Sequence, residues 1–554
     1  MKSDWVARIS DRVEQHVRQV KGEHATIICA SGLSPSGTVH LGNLREIMTV
    51  HIVAEELRAR GWQVEHIQFW DDYDRLRKIP AGIQTSFEQY IGQPLCDVPD
   101  PFGEYASYAE RYITEFSEGL AHLGVPMTHV RQSLAYREGR YTEKVKFAMA
   151  HRGELFDILS EYQTHQGQQE SINERRAAYY PYRVYCESCG KDTTQVQHYD
   201  EATARIEYTC QNCQHHGSFS LDEKISGKLV WKVDWPMRWS FAEVDFEPAG
   251  ADHSTPGSSF TVGQRIVQEI FHSPTPQYAS YAFVGMEGRV KISSSAGTNA
   301  SLASALAILE PAILRWLYIR RANNQPFMID YGQGLLRLYD EWDSLSRQIA
   351  SGKANEANQL AYKRATQGSA GSIKRAERNV PFSLLTSTMD VTQGNVEQVL
   401  RIATQTLKEE RQIEPTQLEP RLTCALNWVN NYLPEDERTT IRTSFDAEAY
   451  TQLPESEQAA LHLLVEEFEN AWSLDALTDL MYRIPKQVRG LPADAPATPE
   501  LKQAQRAFFV AIYTLICASD TGPRIPTLML SLGKEKVKSL LTPDGVSAQA
   551  EQPA

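Results

Sequence analysis

Residues 25–61 read ATIICASGLSPSGTVHLGNLREIMTVHIVAEELRARG, and the fold follows from them. Ala25 to Cys29 is a short β-branched run that suits a buried strand, and from Val39 apolar residues recur at helical spacing through Leu41, Leu44, Ile47, Met48, Ile52 and Leu57. A loop rich in Ser, Gly and Pro lies between them. Strand, small-residue loop and helix in that order aim free helix amides over a sheet edge, where a phosphate is favoured. His40 and Asn43 stand three apart, so both project from one face of the first helical turn. Gly37 and Gly42 remove side chains where a base or ribose would approach the backbone.

Working outward, Val64 to Trp70 (VEHIQFW) reads as a second strand ending in Asp71-Asp72-Tyr73-Asp74-Arg75. Carboxylates at the carboxyl end of a parallel strand either stand over the ligand crevice or cap a solvated turn. The segment DPFGEYASYAERYITEF reads as helical. Cys186-x-x-Cys189 and Cys210-x-x-Cys213 have zinc-ribbon spacing, two tight knuckles that offer four thiolates to one structural Zn²⁺. Two disulfides are the alternative, and the scattered Cys29, Cys96, Cys424 and Cys517 lend it little support.

Leu229 to Trp239 (LVWKVDWPMRW) alternates apolar and other residues and then returns to strand character, and Gly257 to Ile270 reads as a helix after a glycine turn. Beyond Ser301 the pattern is helical to about Leu541, with no further strand-like alternation, and the tail from Thr542 to Ala554 is polar and expected to be disordered.

The chain has 554 residues, room for three or four domains, with 42% hydrophobic and 23% charged residues, an ordinary globular balance. It has no apolar run of about 18 residues, and MKSDWVARISDRVEQHVRQ lacks the apolar core of a secretory signal. The expectation is a cytoplasmic protein with no membrane partner. A net charge of -14 does not exclude nucleic acid, since binding needs only a local basic surface. Such clusters stand at Lys363-Arg364, at Lys374-Arg375 with Arg378, and at Lys534, Lys536 and Lys538; each is a solvated helix face or a contact surface.

PSGTVHLGN resembles the P-x-[ST]-G-x-x-H-[IL]-G-[HN] element of class I aminoacyl-tRNA synthetases, and Lys291-Ile-Ser-Ser-Ser-Ala-Gly resembles their mobile lysine loop, one nucleotide-binding domain downstream. WPMRW through AGADH, RLTCALNWVNNYLPEDE and QAQRAFFVAIYTLICASDTGPRIPTLMLSLGKEKV narrow the resemblance to class I lysyl-tRNA synthetases, over about Ala25 to Leu541. The resemblance implies an α/β fold: a Rossmann-type parallel-sheet catalytic domain with a zinc-ribbon insertion, then an all-α anticodon-binding domain. The expected boundaries are 1–80 for the first half of the catalytic domain, 81–225 for the insertion with its ribbon at 186–213, and 226–300 for the second half. A helical connecting domain at 301–350 and the anticodon domain at 351–541 precede the tail at 542–554.

It further implies catalytic roles for His40, Asn43, Lys291, Ser293 and Ser294, ATP contacts from Pro35, Gly37, His40, Gly42, Asn43 and Lys291, and an amino-acid pocket from Gly32, Ser34, Asp71, Trp231, His253 and Tyr281. Asp71 would hold the α-ammonium. ATP with Mg²⁺, L-lysine and tRNA(Lys) are the implied reactants, and no obligate protein partner is inferred. Read from the residues alone, the aromatics are core or pocket, His253 is a cap or a ligand contact, and the C-terminal helices are an interaction domain or a tRNA reader. Three departures stand out: Ala251 and Ala296 replace lysines of the pattern, and Glu104-Tyr105 with Arg111 replace a Cys-His cluster, so no zinc is expected there.

The implied reaction has two steps. The amino-acid carboxylate attacks the α-phosphorus of ATP while His40, Asn43, Lys291 and Mg²⁺ stabilise the phosphates, and a terminal ribose hydroxyl of tRNA then displaces AMP. A paralogue activating a lysine analogue or another amino acid, and a non-catalytic tRNA-binding remnant, are the alternatives.

Overall fold

The structure, a computed structural model, describes residues 4–162, 171–253, 257–286 and 300–543. It divides into two compact units, one of Met1–Leu306, Pro311–Asp330 and Leu345–Lys374, the other of Ala307–Glu310, Tyr331–Ser344 and Arg375–Ala554.

In the first unit, helix α1 (Trp5–Val20) starts at Asp4, whose carboxylate accepts from the Ala7 amide at 2.8 Å. Its apolar stripe Val6, Ile9, Val13 and Val17 is buried. Strand β1 (Ile27–Leu33) leads through the Ser-Gly-Pro loop into α2 (Leu41–Ala59), and β2 (Val64–Trp70) follows. Helix α3 (Tyr108–His122) and β3 (Thr128–Arg131) come next. The three strands are parallel in the order β1-β2-β3, with Ile27 opposite Val64 and Leu33 opposite Trp70.

On the free edge of β1 the sheet continues with chain from far downstream. Cys29 bridges Phe246 and Phe246 bridges Gln277, both parallel. Strand order therefore reverses at β1, the arrangement whose carboxyl-end crevice receives ligands in open α/β sheets. Helix α2 is buried on nearly every side, including Arg45, Glu46, Thr49 and His51. Arg45 donates to the carbonyls of Tyr318 (3.2 Å) and Ala322 (2.8 Å), and a ring nitrogen of His51 meets Arg315 at 3.0 Å, so most of this buried polar surface is paired inside.

The cysteine-bearing segment is an antiparallel meander of Thr194–Asp200, Arg205–Cys210 and His216–Ser220. Its Val196, Ile206 and Tyr208 share one core with Tyr73, Tyr136 and Tyr182. Arg111 of α3 pairs with Asp100 at 2.5 Å, Glu104 at 2.7 Å and Glu115 at 3.0 Å.

Four expectations need correction. The strand begins at Ile27 rather than Ala25 and runs on to Leu33, because the small residues Ala30-Ser31-Gly32 still fit the ladder. Leu229 to Trp239 is not a strand beyond Leu229: Trp231–Ala242 is a helix, since Trp231, Trp235 and Trp239 recur every four residues and stack along one face. Strands do recur after Ser301: Phe327–Ile329 pairs in parallel with Val284–Met286 and Gln367–Gly368 pairs antiparallel with Gly371–Ser372, and two or three residues are too few to show a period. Finally, helix starts only at Tyr108; the Asp100 carboxylate accepts from the Glu104 and Tyr105 amides and fixes a turn before it. The polar tail from 544 onward lies outside the described residues.

In the second unit, helices Glu455–Phe468, Leu474–Gln487, Pro499–Cys517, Ile525–Leu532 and Lys534–Leu541 enclose Leu461, Leu464, Phe468, Leu480, Ile484, Phe508 and Leu515. Every element among its described residues is helical. Arg421 is fully buried there. Its Nε meets Glu310 at 2.6 Å, Nη2 meets Asp343 at 2.8 Å and Nη1 donates to the Val380 carbonyl at 2.8 Å.

Arg421→Met would strand two buried carboxylates, and removing one side of such a group costs about 3–5 kcal/mol. Urea unfolding of the variant is expected to show that loss. A change below about 1 kcal/mol would mean that water reaches Glu310 and Asp343.

Candidate active site

The turn from β1 into α2 positions the first group. His40 is the N-cap of α2: its Nδ1 accepts from the Asn43 amide at 3.3 Å, while the Asn43 Oδ1 accepts from the His40 amide at 3.1 Å. With Nδ1 an acceptor, the neutral ring carries its proton on Nε2 and can donate from there. Gly42 sits beneath the imidazole, where an added Cβ would stand 2.8 Å from the ring. Of the loop, Ser34 is exposed while Pro35 and Gly37 are buried.

Lys291, Ser293, Ser294 and Ala296 lie outside the described residues, but the segment that carries them has both described flanks at this turn. Before it, the Val284 carbonyl is 3.9 Å from a Cβ placed on Gly42. After it, the Leu41 amide donates to the Ala300 carbonyl at 2.9 Å and Ser301 bridges His40.

One helical turn beyond Asn43 is Glu46. Its carboxylate accepts from the Gly32 amide at 2.8 Å and from the Tyr281 hydroxyl at 2.6 Å, so β1, α2 and the strand Ser280–Tyr281 meet on one side chain. Burial pushes its pKa up to about 8 against those two donors, and the neighbouring carboxylates of Glu247 and Asp71 add to the rise. Glu247 is 2% exposed and accepts from the indole nitrogens of Trp235 (2.9 Å) and Trp239 (2.6 Å). Burial pushes it up to about 7.

Asp71, at the end of β2, is buried and pairs with Arg238 at 2.5 Å; burial raises its pKa against the pull of that guanidinium. Arg238 also pairs with Asp234, and Lys228 reaches Asp74 at 2.6 Å and Asp234 at 3.3 Å. Burial would raise Asp234, but Arg238 and Lys228 hold it below the usual carboxylate range.

Trp231, half-buried, stacks on Trp235 with centroids 5.1 Å apart and lies under Arg238 at 5.6 Å. The His253 ring meets Trp235 edge-on at 5.9 Å, in a short turn with exposed Ala251. The structure thus links Gly32 to Tyr281 through Glu46, and Trp231 to His253 through Trp235. Asp71 reaches Trp231 only by way of Arg238.

Sequence reading missed Glu46, Glu247 and Arg238. Glu46 had a signal, a carboxylate inside the apolar run LREIMTVHIV; Arg238 had little, because Asp71 lies 167 residues away, and Glu247, though its indole partners stand 8 and 12 residues away, sits in no period that reports its burial.

The four Sγ atoms of Cys186, Cys189, Cys210 and Cys213 all lie within 4.8 Å of one another, with Cys186–Cys213 and Cys189–Cys210 both at 3.7 Å. Those separations exclude disulfides, whose sulfurs stand about 2.05 Å apart. They match the edge of a tetrahedron with metal–sulfur bonds of about 2.3 Å.

The basic clusters carry acidic or carbonyl partners. Arg364 pairs with Asp4 and Glu56, Arg378 with Glu409, and Lys534 and Lys538 with Glu469, while Lys536 donates to the Thr443 carbonyl.

A family model described as tRNA synthetases class I (K) matches residues 3–370. A protein of Streptomyces coelicolor named lysine--tRNA ligase is 42% identical, over 97% of this chain and 98% of its own length. Proteins of the same name from Pyrococcus horikoshii and Borreliella burgdorferi are each 31% identical, covering 98% and 96% of this chain and 99% and 98% of theirs. Over the described residues no helix is long and apolar enough to cross a membrane.

Gly42→Ala sets two effects against each other. Alanine favours the helix by roughly 0.5–1 kcal/mol, while its Cβ must push the His40 ring off Asn43. The expected outcome is an equally stable protein with a displaced imidazole, seen as a shifted His40 ring resonance by NMR. An unmoved resonance would show that the turn absorbs the methyl group.

Proposed function

The chain belongs to the class I tRNA synthetases (K), and from that membership we propose that it joins L-lysine to tRNA(Lys) through a lysyl-adenylate made from ATP. The observation that carries the lysine assignment is the buried Glu46, held by the Gly32 amide and the Tyr281 hydroxyl beside the further carboxylates Asp71 and Glu247. The donors bonded to Glu46 and Glu247 are neutral, so a cation is what these two carboxylates lack. Lysine brings two ammonium groups, and two carboxylates answer them: Glu46 takes the side-chain ammonium and Asp71 the α-ammonium. Gly32 and Ser34 line the approach, with Trp231, His253 and Tyr281 forming the walls.

The ATP phosphates lie at the α2 N-terminus, where Pro35, Gly37 and Gly42 keep the backbone open and His40 Nε2 and Asn43 donate to the oxygens. Lys291, with Ser293 and Ser294, acts on the leaving pyrophosphate, a role supported by the flanks of its segment meeting the His40 turn. Mg²⁺ accompanies the nucleotide as its counter-ion. The substrate carboxylate is ionised at neutral pH and needs no base; the enzyme's contribution is to align it with the α-phosphorus and hold the growing charge. In the second step the terminal ribose hydroxyl of tRNA attacks the adenylate carbonyl and AMP leaves.

The cysteine meander holds a structural Zn²⁺ on Cys186, Cys189, Cys210 and Cys213. When bound, the metal cross-links two knuckles that share the surrounding core, and it is remote in role from the chemistry because all four positions are filled by thiolates. The helical part at 351–541 reads the anticodon, after the connecting segment at 301–350. The reaction belongs to translation in the cytoplasm.

Lysine-dependent ATP–pyrophosphate exchange, measured across the twenty amino acids with and without tRNA(Lys), tests the assignment. Exchange with another amino acid, or with none when tRNA is bound, would remove it. Glu46→Gln is expected to raise the KM for lysine about 10–100-fold, the worth of one hydrogen bond to a charge, with little change in the KM for ATP. In elemental analysis the wild-type protein should carry one zinc per chain and Cys210→Ser none.

A further inference from the structure

Glu247 has no part in the reading above beyond adding negative charge, yet its surroundings are specific. It sits at the point where strand order reverses, with its backbone amide donating to the Gln277 carbonyl at 3.2 Å. Both carboxylate oxygens are taken by indoles of the tryptophan helix, and a Cβ placed on Gly32 would stand 3.8 Å from Oε1. The Gly32 amide points at Glu46 instead. One glycine of the amino-acid pocket therefore lies between two buried carboxylates on different elements.

The cations in this neighbourhood are engaged by other acids. Arg238 pairs with Asp71 and Asp234, and Lys228 with Asp74 and Asp234. The donors bonded to Glu46 and Glu247 are neutral: an amide, a tyrosine hydroxyl and two indoles. Asp71 adds its charge to both, Arg238 opposes it at Glu247, and Asp252 and Tyr278 act on Tyr281. Two buried carboxylates served only by neutral donors do not both stay ionised near neutrality.

We propose that Glu247 tunes the charge of the amino-acid pocket: Glu46 and Glu247 retain a proton between them while the pocket is empty, and the entering lysine ammonium expels it to solvent. The inference rests on the lysine reading. It makes Glu247 a positioning residue that acts through Glu46 and the tryptophan helix, and it gives lysine binding a pH dependence.

The sign follows from the raised pKa values, about 8 for Glu46 and about 7 for Glu247. Below them the pocket is neutralised by protons, and the ammonium must displace one. As pH rises toward 8 less proton remains to be expelled, so affinity climbs by up to about tenfold per pH unit and then levels off. The Tyr281 hydroxyl is held well above its ordinary range by burial and by Glu46, so it remains a donor and does not supply the proton.

The test is titration calorimetry of L-lysine into the full-length protein with tRNA(Lys), at pH 7, in two buffers of unlike ionisation heat. About one proton released per lysine should appear as a buffer-dependent enthalpy. L-norleucine, a lysine shape without the side-chain ammonium, should show none. Glu247→Gln should roughly halve the release and flatten the rise of lysine affinity between pH 6 and 8. Lysine binding with equal heat in both buffers overturns the proposal even if the variant fails to fold. Full release and an unaltered pH profile in Glu247→Gln remove Glu247 from it. A protein that takes up no lysine at all instead overturns the lysine reading on which the proposal stands.

Discussion

Everything at the site depends on the pairing of β1 with chain more than two hundred residues downstream. The Ala30 amide donates to the Phe246 carbonyl at 2.8 Å and the Asp245 amide to the Ile28 carbonyl at 2.8 Å, while the Asp245 carboxylate accepts from the Ile28 amide and pairs with Lys21 of the preceding segment. A buried strand edge must find partners for its amides and carbonyls. Closing a long loop to supply them costs only slowly more as the loop lengthens. The long connection between the paired segments is thus tolerated, and the crevice is formed where the sheet reverses its order.

That pairing makes helix α2 the shared element. Its first turn is tied off by His40 and Asn43, and its second turn carries Glu46 into contact with Gly32 and Tyr281. One helix therefore carries both the His40–Asn43 turn and Glu46, and under the proposed assignments it would set the distance over which a carboxylate is aligned with a phosphorus.

Burial is used unevenly around the crevice. Asp71, Asp234 and Asp74 pair with Arg238 and Lys228, a charge group that ties the tryptophan helix to the end of β2. Glu46 and Glu247 are matched by neutral donors, and burial raises both. Among the departures from the family pattern, Ala251 is an exposed residue of the short turn that ends in His253. Arg111 and Glu104 form part of an ion-paired cluster with Asp100.

By itself the sequence determined the local pieces: β2 with its limits, the helical run of α2 from about Val39, the two cysteine knuckles and most of the helices beyond Ser301. Each is written in a period or spacing a few residues long, which the chain states locally. The resemblance added the family and its reaction. Only the tertiary structure decided that Trp231–Ala242 is a helix, that Phe327–Ile329 is a strand, and that Glu46, Glu247 and Arg238 belong to the site. Three strand residues show no period, the tryptophans fit either a strand or a helix until their neighbours are known, and a buried charge becomes meaningful only when the group facing it is placed, as Asp71 is for Arg238 and Tyr281 for Glu46.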